Sequence, residues 1–251
     1  MFSIIIPTLN EEESIVPLLE SLDRQSYSDF EVMVVDGGSK DKTVEVARKY
    51  GAEVLVHVGL GEFQSRNVGA RLTKGKVLLF TCADVILARD LLNKVNEWFS
   101  QNSRLIALAG PGIPYDAALK GKLLYAAYNL FRYLSARLPG RLRRFSTSAN
   151  FLAVRKEAFE RIGGFDHTDI NADGLMGRRL LEIGNVCFSL DTYVFISARR
   201  MKKVGFLRFL LHYLYVLENF FPFMSRTELI KGAKERSRSA HRKIHEEPRK
   251  A

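Results

Sequence analysis

The chain of 251 residues predicts an α/β fold with a mostly parallel sheet flanked by helices. Two kinds of observation carry that expectation. Ile4-Ile5-Ile6 and Val32-Met33-Val34-Val35 are continuous apolar runs of strand length, the habit of strands covered on both faces. Each run stops abruptly in small and acidic residues, leads into a helical pattern, and belongs to a unit that repeats. Repeated β-α units imply parallel strands joined by right-handed crossovers.

The elements follow in order. The first strand opens at Phe2, and a helix with Leu18, Leu19 and Leu22 on one side runs to about Gln25. Pro17 suits the first turn of that helix better than its interior. Phe30 to Val35 is the second strand. Asp41 to Tyr50 sets Val44, Ala47 and Tyr50 on one helical stripe, with Gly51 as its stop. Strands are then expected over 52–56, 77–80 and 105–109, separated by helices over 63–72 and 88–100. Past Pro111 the rhythm breaks. Leu119 to Leu138 reads as a long amphipathic helix with Leu119, Leu123, Ala127, Phe131, Leu134 and Leu138 at helical spacing. A basic loop (Pro139 to Arg144), a strand over 150–154, a short helix ending at Gly163-Gly164 and a helix from about Gly174 to Glu182 follow.

Residues 204–224 are the least ordinary stretch. As one helix they confine Arg208, His212, Tyr215 and Asn219 to a polar stripe, and nearly everything else is apolar. The run is too often interrupted for a membrane span, which needs about twenty apolar residues. Its basic flanks fit an interfacial helix, while a buried core or dimer helix is the plainer alternative. Residues 225–251 read as a basic, partly ordered tail.

The formal net charge is +10, and 47% of the residues are hydrophobic, enough for a substantial core. Two cysteines, Cys82 and Cys187, make no disulfide or metal framework, and no signal-peptide pattern opens the chain, so a cytoplasmic setting is expected. The basic excess gathers late, at Arg141, Arg143 and Arg144, at Arg199, Arg200, Lys202 and Lys203, and in the tail. An anionic membrane or a phosphate-bearing substrate would suit it. Nucleic acid is not expected, because no strand interleaves aromatic and basic residues. A dinucleotide oxidoreductase is disfavoured, since no G-x-G-x-x-G follows the first strand.

In parallel sheets ligands sit at the carboxyl ends of the strands. Asn10, Glu11 and Asp36 lie at two such ends and offer them to one ligand. The stretches IIPTLNEEESI and VVDGGSKDKT, in this order and at this spacing, resemble the start of an inverting glycosyltransferase of family 2, which has the GT-A fold. The resemblance covers about residues 2–203 and implies a nucleotide-sugar donor, with Pro7, Thr8, Leu9, Glu11 and Asp36 around its base and ribose. It extends to Gly61–Ala70, where Arg66 and Asn67 match the family's helix beside the nucleotide, and Arg66 would donate to a base or phosphate.

In Thr81-Cys82-Ala83-Asp84 the resemblance places the family's Asp-x-Asp, which holds Mg2+ or Mn2+ against the diphosphate. Cys82 replaces the first carboxylate, leaving Asp84 as the expected metal and donor ligand. Gly163-Gly164-Phe165-Asp166 and Ala172-Asp173 match the family's turn and acidic motif, which makes Asp173 the implied general base. Ala172 stands where a Glu is usual, and Asp166 and Asp169 are local rivals. Ser197 or Ala198 stands where many relatives have a metal-binding His, and His212 is a conceivable recruit.

The expected activity is therefore transfer of a sugar to an acceptor, a lipid phosphate or lipid-linked glycan, by a protein peripheral at the cytoplasmic membrane face. A non-catalytic nucleotide-sugar-binding or membrane-adaptor protein on the same scaffold is the rival reading, motivated by Cys82 and Ala172.

Overall fold

The computed structural model describes residues 1–246, and among these the side chains of His212 and of residues 239–246 stand outside the described set. The first half alternates as expected: β1 (Phe2–Thr8), α1 (Glu12–Asp23), β2 (Phe30–Asp36), α2 (Thr43–Lys49), β3 (Glu53–Val56), α3 (Glu62–Leu72), β4 (Val77–Phe80), β5 (Val85–Leu87), α4 (Leu91–Gln101) and β6 (Leu105–Ala109). The second half holds β7 (Gly112–Pro114), α5 (Leu119–Ser135), β8 (Leu152–Arg155), α6 (Lys156–Arg161), α7 (Ala172–Ile183), β9 (Asn185–Phe188), β10 (Val194–Ile196), α8 (Arg199–Val204), α9 (Phe206–His212) and α10 (Glu228–Glu246).

The main sheet has the order β3-β2-β1-β4-β8-β6-β9. β8 runs antiparallel between β4 and β6, and the other pairs are parallel. Ile4, Ile5 and Ile6 are fully buried, so β1 is covered on both faces as its unbroken apolar run demands. Burying one such side chain contributes about 1.5–3 kcal/mol. Gly69 lets α3 lie close on this strand, because a Cβ there would meet the Ile5 side chain at 2.6 Å. A second sheet, β5-β10-β7, is built from strands of three residues and walls the cleft beyond the tips of β1 and β4.

Several expectations need correction. α1 begins at Glu12, so Pro17 lies inside the helix and not in its first turn. Residues 204–224 are not one helix. Gly205, at φ +82, breaks α8 from α9, and two 3-10 segments follow at Tyr213–Asn219 and Pro222–Arg226. Tight winding turns Glu218 and Asn219 inward onto Asn171, whose Nδ2 donates to Glu218 Oε1 at 2.6 Å and to Asn219 Oδ1 at 2.8 Å. Within the basic tail, read as partly ordered, Glu228–Glu246 form α10, whose Ile230 and Ala233 are buried. Residues 247–251 of that tail lie outside the described residues. No described helix is long and apolar enough to cross a membrane.

The long amphipathic helix is present as α5, and its inward face is polar. The residues it buries are Gly121, Asn129, Arg132 and Ser135. Its stripe of Leu119, Leu123, Leu130, Leu134 and Leu138 is exposed, Leu119 at 73%. Asn129 Nδ2 donates to the Gly112 carbonyl at 3.0 Å, and Arg132 donates through Nε and Nη2 to the Ser146 carbonyl at 3.1 and 2.9 Å. The Arg132 guanidinium lies 4.5 Å from the Phe188 ring centroid. A buried cation with a carbonyl and an aromatic face for partners is tolerable, whereas an unpaired one is not.

Candidate active site

The site is assembled where β1, β2 and β4 end. The loops after β1 and β2 are stitched together. Asp36, fully buried, accepts from Thr8 Oγ1 at 2.8 Å, Ser39 Oγ at 2.5 Å, Gly38 N at 2.9 Å and Ser39 N at 2.7 Å. Its carboxylate is committed to the turn, so it shapes the end of β2 through the loop. Asn10 has φ +54, a left-handed conformation that Asn adopts more readily than most residues. It donates from its N–H to Ser39 Oγ at 2.8 Å and accepts from Lys40 N at 2.9 Å. Thr8 is buried, while Pro7 and Leu9 are partly exposed at the strand end.

Arg66 is fully buried on α3. Its Nη2 donates to Glu62 Oε1 at 3.0 Å and the Ala149 carbonyl at 3.1 Å, and lies 3.2 Å from the Cys82 sulfur. Its Nε and Nη1 have no hydrogen-bond partner. Two orphaned guanidinium donors without solvent are costly unless a ligand or water completes them. The neighbouring Asn67 donates to the Phe165 carbonyl and accepts from Phe165 N, both at 2.9 Å. Gly163 and Gly164 both have positive φ, +76 and +74, and a Cβ on Gly164 would meet Asn67 Oδ1 at 2.6 Å. The two motifs are thus halves of one contact.

Asp173 sits in the first turn of α7. Its Oδ1 accepts from Gly174 N and its Oδ2 from Ala149 N, both at 2.9 Å. Burial pushes its carboxyl up to about 6, with Glu62 adding to the rise and the backbone bonds and Arg66 opposing it. The rivals are differently placed. Asp166 is exposed and accepts from Thr168, whose bonds hold its carboxyl below the ordinary range. Asp169 pairs with Lys234 of α10 at 2.7 Å, and the same ammonium reaches the buried Glu218 at 2.7 Å.

The expected cation at Asp84 meets an arginine instead. Arg199 Nε lies 2.9 Å from Asp84 Oδ2, and its two terminal nitrogens grip both oxygens of Glu11 at 2.7 Å. Burial raises the Cys82 thiol well above its ordinary range, so the sulfur is neutral as well as soft. One carboxylate bound to a guanidinium beside a protonated thiol does not fit Mg2+ or Mn2+, which want several hard oxygens. Among the described residues no group of three or more His, Cys, Asp and Glu could hold a metal ion. Sequence reasoning missed Arg199 as a partner of Glu11 and Asp84, and missed the backbone of Ala149. The signal for the first was the Arg199-Arg200 doublet beyond β10, read only as charge.

Comparison with known proteins identifies the family and the fold. The family described as Glycosyl transferase family 2 matches residues 3–163. An uncharacterized glycosyltransferase of Haemophilus influenzae is 40% identical over 108 residues, 42% of this chain and 36% of that protein. A PGL/p-HBAD biosynthesis glycosyltransferase of Mycobacterium tuberculosis is 41% identical over 109 residues, 41% of this chain and 43% of that protein. The matched stretch thus spans less than half the length of these relatives. Among solved structures, the mannosyltransferase PcManGT of Pyrobaculum calidifontis in complex with GDP-Man and Mn2+ superposes with TM-score 0.66 at 20% identity, over 96% of this chain and 69% of that one. Staphylococcus aureus TarS 1-349 in complex with UDP-GlcNAc gives 0.64 at 18% identity, over 92% and 74%. At these identities the likeness is one of fold, and that fold is GT-A.

Proposed function

The chain belongs to glycosyl transferase family 2, and from that premise we propose that its cleft moves a sugar from a nucleotide-sugar to an acceptor with inversion at the anomeric carbon. The observation that carries the reading is the pairing at Ala149. Its carbonyl receives Arg66 and its N–H holds Asp173, so one backbone unit ties the cation read as donor-binding to the carboxylate read as the base.

The chemistry follows from those positions. The loops of Thr8 to Glu11 and Asp36 to Ser39 bed the base and ribose. The free N–H groups of Arg66 aim at the donor's carbonyl or phosphate oxygens. Where the acceptor is a glycan, its hydroxyl loses its proton to Asp173 as its oxygen bonds to the anomeric carbon; a lipid phosphate would attack through an oxygen already ionised. The bond from that carbon to the diphosphate breaks, and the nucleoside diphosphate leaves with the electron pair. A base with a pKa near 6 is mostly ionised at neutral pH yet strong enough to take the proton.

The acceptor is read as a lipid phosphate or lipid-linked glycan, met by a protein peripheral at the cytoplasmic face of a membrane. The outward stripe of α5 supports this, as do Lys120, Lys122 and Arg141 exposed along the same helix and its exit. α9 and the turns after it rest on α5, with Phe131 and Phe220 centroids 4.6 Å apart, and add exposed Leu207, Leu211 and Phe223. An acidic surface would attract the basic groups by about 1 kcal/mol each.

The deciding experiment is Asp173→Asn. It should bind nucleotide-sugar normally and transfer at least about a hundredfold more slowly. Wild-type kcat/KM should fall tenfold per pH unit below about 6, because only the ionised carboxylate accepts the proton. A variant within a few-fold of wild type, or an unchanged acid limb, would remove Asp173 as base. Normal donor binding with no transfer by wild type to any lipid-phosphate or glycan acceptor would favour the non-catalytic reading.

A further inference from the structure

Arg199 and Arg200 open α8 directly beyond β10, at the rim of the cleft where Asp84 ends the β4 turn. Arg199 joins two carboxylates from distant parts of the chain. Glu11 is held by both terminal nitrogens at 2.7 Å and Asp84 by Nε at 2.9 Å, and Nη1 also donates to Ser14 Oγ at 2.9 Å. Glu11 is 7% exposed on its side chain, so this pair was built against a desolvation cost. Arg200 Nη1 donates to the Tyr213 hydroxyl at 2.6 Å, and its charge acts on Cys82 and Tyr125 across the same cleft.

We infer that Arg199 and Arg200 form the subsite for the donor's diphosphate and do there the work of a divalent cation, so that donor binding needs no metal. The inference rests on the nucleotide-sugar reading above. Without Arg199, the carboxylates of Glu11 and Asp84 would face the cleft as two negative charges and repel a diphosphate. With it, one of the two is neutralised, and Arg200, next in the chain, adds a second cation beside it. A guanidinium presents several N–H donors in a planar fork that matches phosphate oxygens. It is fixed before the reaction, so it can stabilise charge as it develops on the leaving diphosphate. Arg199 keeps 38% of its side chain exposed; Glu11, Asp84 and Ser14 take four of its five N–H groups, so one N–H on Nη2 remains for a phosphate oxygen and the exposed Arg200 supplies the rest. Arg66 adds its two unpartnered N–H groups from within the fold.

The test is calorimetry of the full chain with UDP, GDP, ADP and dTDP, each in EDTA and in excess Mn2+. At least one should bind, with the same affinity in both. Arg200→Gln should weaken that binding by at least about tenfold in either solution. Arg199→Ala should go further and change kind. It frees Glu11 and Asp84 as a pair of hard ligands, so Mn2+ binding absent from wild type should appear by electron paramagnetic resonance. Binding that is about tenfold tighter in Mn2+ than in EDTA for the wild type overturns the inference and leaves the glycosyltransfer reading standing. Failure of every nucleotide to bind in both solutions overturns the donor reading and the inference with it. The wild-type comparison decides even if a variant misfolds.

Discussion

Helices α4 and α5 are both rich in apolar residues, yet they bury opposite kinds of face. α4 turns Leu91, Leu92, Val95 and Phe99 to the core and leaves Asn93, Glu97 and Ser100 in solvent. α5 turns Asn129, Arg132 and Ser135 inward and leaves its leucines out. The first arrangement is what water selects. The second exposes a contiguous apolar stripe of the sort that marks an interaction surface. The lesson is a division of labour. The half before Pro111 buries its apolar faces, and the half past it leaves one exposed, as the proposed less polar neighbour would require.

The sharpest way to break this comparison is stability. Phe99→Ala in α4 should cost about 3–5 kcal/mol in urea unfolding, the usual range for an aromatic core residue. Leu134→Ala, at 53% exposure on α5, should stay within about 0.5 kcal/mol. Equal losses would mean that α5's stripe is covered in solution. Next in size is Arg132→Met, which keeps the volume and leaves the Ser146 carbonyl without its donors. A loss of about 1–3 kcal/mol is expected, and a gain would show that the inward polar face of α5 is dispensable. The smallest effect should come at the surface itself. Leu123→Ser with Leu134→Ser should weaken flotation on anionic vesicles about tenfold, near 1.4 kcal/mol, with thermal stability unchanged. Vesicle binding that is absent in wild type at low salt would leave the lipid-acceptor reading without support.

How far the sequence was legible follows the same division. The tips of β1 and β2 could be read because continuous Ile and Val runs end sharply in Asn10, Glu11 and Asp36. Asp173 was singled out only through the resemblance of the Gly163-Gly164-Phe165-Asp166 turn and the acidic position after it; the structure adds that Gly163 and Gly164 have left-handed backbone and that Asn67 binds the turn they make. The three-residue strands at Val85 and Gly112 were not legible, for alternation over three residues has no statistical weight. In α5, helical spacing identified the apolar stripe but carried no sign for which side meets the core. Residues 204–224 looked like one helix because Gly205 alone marks the break, while the inward turn of Glu218 depends on Asn171 and Lys234 from other elements. Arg199's bond to Glu11 spans 188 positions, beyond the reach of any local pattern.

The backbone of Ala149 sets a mechanical limit on the whole cleft. Its N–H fixes Asp173 and its carbonyl fixes Arg66, and only two soft torsions separate these groups. Any rotation at this residue moves the two anchor points relative to each other and detunes the alignment of donor and acceptor. Proline here would delete the anchor for Asp173 outright. Glycine would keep both bonds available and widen the angular play between them. Under the proposed reading, the tolerance of the reacting geometry rests as much on the stiffness of this one methyl-bearing residue as on the charged side chains it holds.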